Sequence, residues 1–146
     1  MSIGRVVRDE ATTDFLDGTA RGQFLLQQCG SCGTVSGPRE RTCPACHCAD
    51  LTARPAEGGA TVVSWTVAHT RRADGGPDEL TVLAIGELTE GPWWWSQIVD
   101  ADPPAVRVGL PLRIDFVQPE GSEAVPVFRV ATGADRETFD PDRNEE

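Results

Sequence analysis

A chain of 146 residues with a hydrophobic fraction of 39% suits one ordinary domain, or two small modules sharing a surface. Its net charge of −10, with no Lys and with five Arg against eleven Asp/Glu in residues 55–131, is the wrong sign for gripping a phosphate backbone. No apolar run is long enough to span a bilayer, and the N-terminal MSIGRVVRDE has no apolar signal-peptide core, so a cytoplasmic protein with no membrane or nucleic-acid partner is expected.

Residues 1–28 read as an N-terminal segment: a loose lead-in over 1–11, then a short helix opening at Thr12-Thr13-Asp14. Thr supplies a cap and Asp14 faces the positive end of the helix dipole. Phe15, Leu16 and Ala20 form its apolar side, and Gly18 and Gly22 limit its length. A short strand at 24–26 leads into a cysteine-rich module over 29–54, and 55–59 reads as a linker. The texture then becomes β. Residues 61–67 alternate, with Val63, Trp65 and Val67 on one face. Residues 80–88 are nearly continuously apolar, as in a strand covered on both faces. Residues 93–99 follow the turn signal Glu90-Gly91-Pro92. Residues 106–116 hold the cleanest period of two, with Arg107, Arg113 and Asp115 opposite the apolar set and Pro111 marking an edge or a strand start. A fifth strand is expected at 125–130. Five short strands over 55–131 suggest a small barrel of the OB type, and there is no room for the seven strands of an immunoglobulin-like sandwich. Residues 132–146 are acidic and poor in apolar groups, which predicts a disordered tail. The fold class is therefore mainly β.

All five cysteines fall between positions 29 and 48. A disulfide framework would spread them along the chain; one tight cluster reads as a metal site in a reducing compartment. The pattern is Cys29-Gly-Ser-Cys32-Gly33, then Cys43-Pro-Ala-Cys46-His47-Cys48. Each C-x-x-C turn aims two thiolates at one point, and two such turns complete a tetrahedron, so Cys29, Cys32, Cys43 and Cys46 are the expected ligands of one structural Zn²⁺. Iron on the same sulfurs would make an electron carrier, a reading that leaves the attached β module without a purpose. Gly33 suits the positive-φ position that follows such a turn; His47 holds the equivalent place less comfortably. Four thiolates leave no open position for water or substrate, so the site is structural and not catalytic. Cys48 is left over as a free thiol beside it.

No nucleophile elbow, zincin motif or P-loop is present, and no catalytic residue is assigned. His69 is read as a surface or loop histidine. In Trp93-Trp94-Trp95, the first and third rings share one face of a strand and the second takes the other, so at least one ring should reach the surface, either as core filling with a partly covered edge or as a partner anchor. Arg71 and Arg72 sit in a loop, as solvated charges or as contacts for an acidic partner or for phosphates.

A short helix carrying Phe15, two C-x-x-C turns around Gly37-Pro38-Arg39, Ala84-Ile-Gly-Glu-Leu in the second barrel strand and Val108-Gly-Leu-Pro-Leu-Arg-Ile-Asp-Phe116 in the fourth occur in this order. The chain resembles, over about residues 12–131, the acyl-CoA-associated zinc-ribbon/OB-fold family known as domain of unknown function 35. It departs from the family pattern at His47, Cys48 and the triple Trp. The resemblance implies a rubredoxin-like zinc ribbon followed by an OB-fold. It also implies a role as a non-catalytic partner of a thiolase-superfamily or lipid-transfer-protein-type enzyme in a hetero-oligomer. That enzyme would be an aldolase of steroid or other acyl-CoA side-chain degradation, or an acyltransferase, with the CoA thioester a substrate of the complex. Phe15, Trp93, Trp94, Trp95, Arg71 and Arg72 are the candidate contacts to partner or acyl-CoA. Two other readings stand beside it: a nucleic-acid-binding zinc-ribbon/OB module, and a self-sufficient enzyme using His69 or Cys48.

Overall fold

The computed structural model describes residues 3–132, so all but the first residue of the expected acidic tail lies outside it. Helix α1 spans Thr13–Ala20 with Asp14 in its first turn. The Thr12 side chain makes no cap to the helix. It is held instead by Asp9, whose Oδ1 accepts from Thr12 N–H at 2.9 Å and Thr12 Oγ1 at 2.8 Å. Ala20, expected on the apolar side, is exposed, and Thr19 is buried in its stead, its hydroxyl donating to Leu16 O at 3.0 Å. The lead-in is also not loose. Glu123 N–H donates to Val6 O at 2.9 Å, and Val6 N–H donates to Ser122 Oγ at 2.8 Å. Arg8 then joins Asp17 of α1 (2.7 Å) to Glu123 (2.7 and 3.0 Å).

Three strands form the first sheet: β1 (Leu25–Cys29), β2 (Val35–Ser36) and β3 (Leu51–Pro55), in the order β2-β1-β3, all antiparallel. Five more close a barrel: β4 (Gly59–Thr70), β5 (Glu79–Leu88), β6 (Trp93–Ile98), β7 (Pro111–Val117) and β8 (Val125–Val130), in the order β4-β5-β6-β8-β7. Every pair is antiparallel except β6 with β8, where Ile98 sits opposite Phe128. A closed five-stranded barrel of this kind is an OB-fold, and closure removes the edges that would otherwise invite pairing with other chains. Among the described residues no helix is long and apolar enough to cross a membrane.

Two expectations fail for local reasons. In β4 the pairing slips between Val62, opposite Gly86, and Ser64, opposite Ile85. This bulge absorbs Val63, so Val62, opposite Gly86, and Trp65, opposite Ala84, share a face that Val63 does not; Val62 is buried there while Trp65 stays 39% exposed. The period of two over 106–116 is strand only from Pro111 onward. Before it come a 3₁₀ turn (Pro103–Ala105) and a turn at Gly109, φ +87°. Val106 and Leu110 are buried there as loop residues, while Val108 is exposed.

The core is continuous between the two sheets. Phe24 and Leu26, from the chain entering and forming β1, pack in one cluster with Val62, Ile98, Leu112 and Phe128 of the barrel. Glu57, between β3 and β4, gives its N–H to Glu90 Oε2 at 2.7 Å, which ties the connection to the turn before β6.

Candidate metal centre

The two cysteine turns are built alike. In the first, Gly33 N–H donates to Cys29 O at 3.0 Å and Cys29 N–H to Thr34 O at 2.9 Å. In the second, His47 N–H donates to Cys43 O at 2.9 Å and Cys43 N–H to Cys48 O at 2.8 Å. The residue that closes each turn lies in the left-handed region, Gly33 at φ +78° and His47 at φ +63°. The second turn thus places a side-chain-bearing residue where glycine is at ease. Strand β1 delivers Cys29 into one turn. Cys29 and Cys43 are buried, Cys32 and Cys46 exposed, so the centre sits at the surface end of the ribbon.

The four Sγ atoms all lie within 4.8 Å of one another. Cys29–Cys46 and Cys32–Cys43 are each 3.5 Å apart. A tetrahedron with Zn–S bonds of ~2.3 Å has edges of ~3.8 Å, so the donor set fits a zinc ion in size and chemistry. The electrostatics agree. Cys32 is lowered to about 6 by the Thr34 hydroxyl, 3.1 Å away, the Thr34 N–H and Cys43. Cys46 is pushed up to about 12: the Cys48 N–H favours its thiolate, but crowding by the sulfurs of Cys29, Cys32 and Cys43 together with desolvation prevails. Four thiolates this close repel one another unless a cation lies between them. Cys48 stands outside the set, where Ser31 Oγ and Asp50 N–H both approach its sulfur at 3.3 Å. Thr34, Ser31 and Asp50 are supporting residues that the cysteine spacing gave no means of finding.

The remaining candidates divide. Phe15, Phe24 and Trp94 form a cluster under the helix, with ring centroids 5.4, 5.7 and 4.9 Å apart. Phe15 and Trp94 therefore fasten α1 to the barrel. Trp93 and Trp95 point the other way and are 59% and 66% exposed. Arg71 and Arg72 follow β4 in the exposed β4–β5 connection, with Arg72 paired to Asp74 at 2.6 Å. His69 is exposed near the end of β4, opposite Leu80.

Family models described as "ChsH2, rubredoxin-like zinc ribbon domain" and "ChsH2, C-terminal OB-fold domain" match residues 16–52 and 53–117. A DUF35 domain-containing scaffold protein of Methanocaldococcus jannaschii is 31% identical over 104 residues, spanning 69% of this chain and 74% of that protein. The chain belongs to the ChsH2/DUF35 family. Another relative, a probable enoyl-CoA hydratase alpha subunit of Thermomonospora curvata, is 30% identical over 109 residues, and the match spans only 34% of its length. Among solved structures, a chain of an Ltp2-ChsH2(DUF35) aldolase superposes with a TM-score of 0.75 at 26% identity, covering 88% of this chain and 100% of that one. The zinc-ribbon model covers the module that holds the four cysteines, and the OB-fold model covers most of the closed barrel.

Proposed function

We propose that this chain is a non-catalytic scaffold subunit that holds one structural zinc ion and docks on an acyl-CoA enzyme of the thiolase superfamily. An aldolase acting on a β-hydroxyacyl-CoA thioester with a steroid or other side chain is the partner this reading favours. Cys29, Cys32, Cys43 and Cys46 hold the zinc, which supplies folding energy and no open coordination position. Trp93 and Trp95 contact the partner, and Arg71 and Arg72 attend the CoA phosphates of the complex. The observation that carries the reading is the superposition of nearly the whole chain on the DUF35 component of an aldolase, with the four-thiol centre set in the same type of ribbon. The hydratase subunit name of a relative points towards acyl-CoA chemistry as well.

The test is co-expression with a thiolase-like enzyme encoded beside this chain's gene, followed by gel filtration and an aldol-cleavage assay. We expect a stable complex, turnover only in fractions holding the enzyme, and one zinc per chain. A chain that elutes alone in every such experiment, or that turns over an acyl-CoA unaided, rules the proposal out.

A further inference from the structure

The metal centre makes no use of the outer face of β6 or of the groove at its foot. Trp93 and Trp95 occupy alternate positions of β6 and both face outward from the closed barrel. Their cross-strand neighbours on β5 are Glu87 and Ile85. Directly opposed residues have Cβ atoms ~5 Å apart and diagonal ones ~7–8 Å, so the exposed Glu87 carboxylate lies within reach of both indoles. Trp93 also walls a groove whose other sides are Pro92, Val35 of β2, and Glu40 and Pro44 from the loop and turn holding the second cysteine pair. Glu90, in the turn entering β6, uses Oε2 on Glu57 N–H, while its Oε1 is buried with no donor among the described residues. Arg39 and Arg41 flank Glu40 in sequence and are exposed, but they are not among the residues lining the groove. Among the described residues neither Glu40 nor Glu87 forms an ion pair. Two open indole faces are thus set beside carboxylates that no cation of the described residues pairs.

We infer that this face is the docking surface for an arginine-bearing segment of a partner protein, its guanidinium stacked on Trp93 or Trp95 and ion-paired with Glu87 or Glu40. Charge complementarity selects a basic occupant. The planar guanidinium, weakly hydrated and able to stack on an indole while donating sideways to a carboxylate, selects arginine over lysine. The inference rests on the reading of the chain as a docking subunit and adds the chemistry the partner presents.

The zinc-loaded chain is titrated at low salt with an octa-arginine peptide while tryptophan emission is followed. In parallel, the thiolase-like enzyme encoded beside its gene is tested by gel filtration. We expect saturable peptide binding that weakens about tenfold in W93A/W95A and in E40Q/E87Q. A control variant that removes the same charge elsewhere, D102N/E120Q, should bind like the wild type. Retained zinc content together with an unchanged far-ultraviolet circular dichroism spectrum and melting transition shows that each variant is folded. A control as weak as E40Q/E87Q, or tryptophan variants with unchanged affinity, overturns the inference. A wild-type chain and all variants that join the enzyme equally well leave the scaffold reading standing and remove this surface. Peptide binding as expected without any complex with the enzyme does the reverse. A self-dimer broken by W93A/W95A assigns the face to a second copy and likewise overturns it.

Discussion

Gly86 of β5 lies against the ring of Phe128. A Cβ added there would stand 2.8 Å from Phe128 Cζ and 3.3 Å from Ala60 Cβ. Phe128 is completely buried, so its ring has no free direction in which to yield. Gly86→Ala should therefore destabilise the fold by about 1–3 kcal/mol, the usual cost of overpacking. Urea unfolding followed by circular dichroism measures this directly; an unchanged midpoint would mean that the ring shifts at no cost. Asp115 offers a second test at this scale. Its carboxyl is held below the usual range by the Arg129 guanidinium, which donates at 2.6 Å, and by the Phe116 N–H. A carboxylate lowered in the folded state stabilises above its unfolded value, 3.8, and that contribution disappears as pH falls through the folded value. Asp115→Asn should thus cost at most about 1 kcal/mol at neutral pH, discounted for solvent screening at this half-exposed site. The gap to the wild type should close below about pH 4 in parallel denaturation curves.

At the scale of elements, helix α1 has little to hold it by itself. It is 8 residues long, has glycine in its interior and lacks a side-chain cap. A helix this short is marginal alone and depends on its packing. The three-ring cluster of Phe15, Phe24 and Trp94 and the Arg8 links to Asp17 and Glu123 provide that packing. Phe15 is half-buried, so Phe15→Ala should cost about 1–3 kcal/mol, less than the ~3–5 kcal/mol of a fully buried phenylalanine. The near-ultraviolet signal of Trp94 should change while zinc content stays the same. If instead stability holds and only partner binding falls, Phe15 belongs to the interface and not to the helix anchor.

At the scale of the molecule, ribbon and barrel share one core through Phe24 and Leu26. Structural zinc contributes folding energy to the module that binds it. Stripping it should therefore unsettle β1 and pull at the barrel as well. Calorimetry with and without chelator should show the main transition falling by about 5 °C or more. A barrel transition that stays in place while the ribbon melts would show that the two sheets are energetically independent.

The readings that came directly from sequence concern neighbours along the chain. Two C-x-x-C turns, Gly33 and the strained His47 are local backbone geometry, and C-x-x-C spacing alone carries two thiols to one point. The barrel strands declare themselves by different signals, a period of two at 61–67 and 111–116, an apolar run at 80–88 and a turn before 93. Periodicity does not say which face is inside, nor where it slips. The Val63 bulge decides that Val62 enters the core. The closure of the barrel decides that Trp94 turns inward to Phe15 while Trp93 and Trp95 face solvent. Partners more than a hundred residues apart, such as Val6 with Ser122 and Arg8 with Glu123, hold down a segment whose composition reads as loose. These outcomes depend on contacts distant in sequence, whose energies no local pattern encodes, and they arise only when the chain closes on itself.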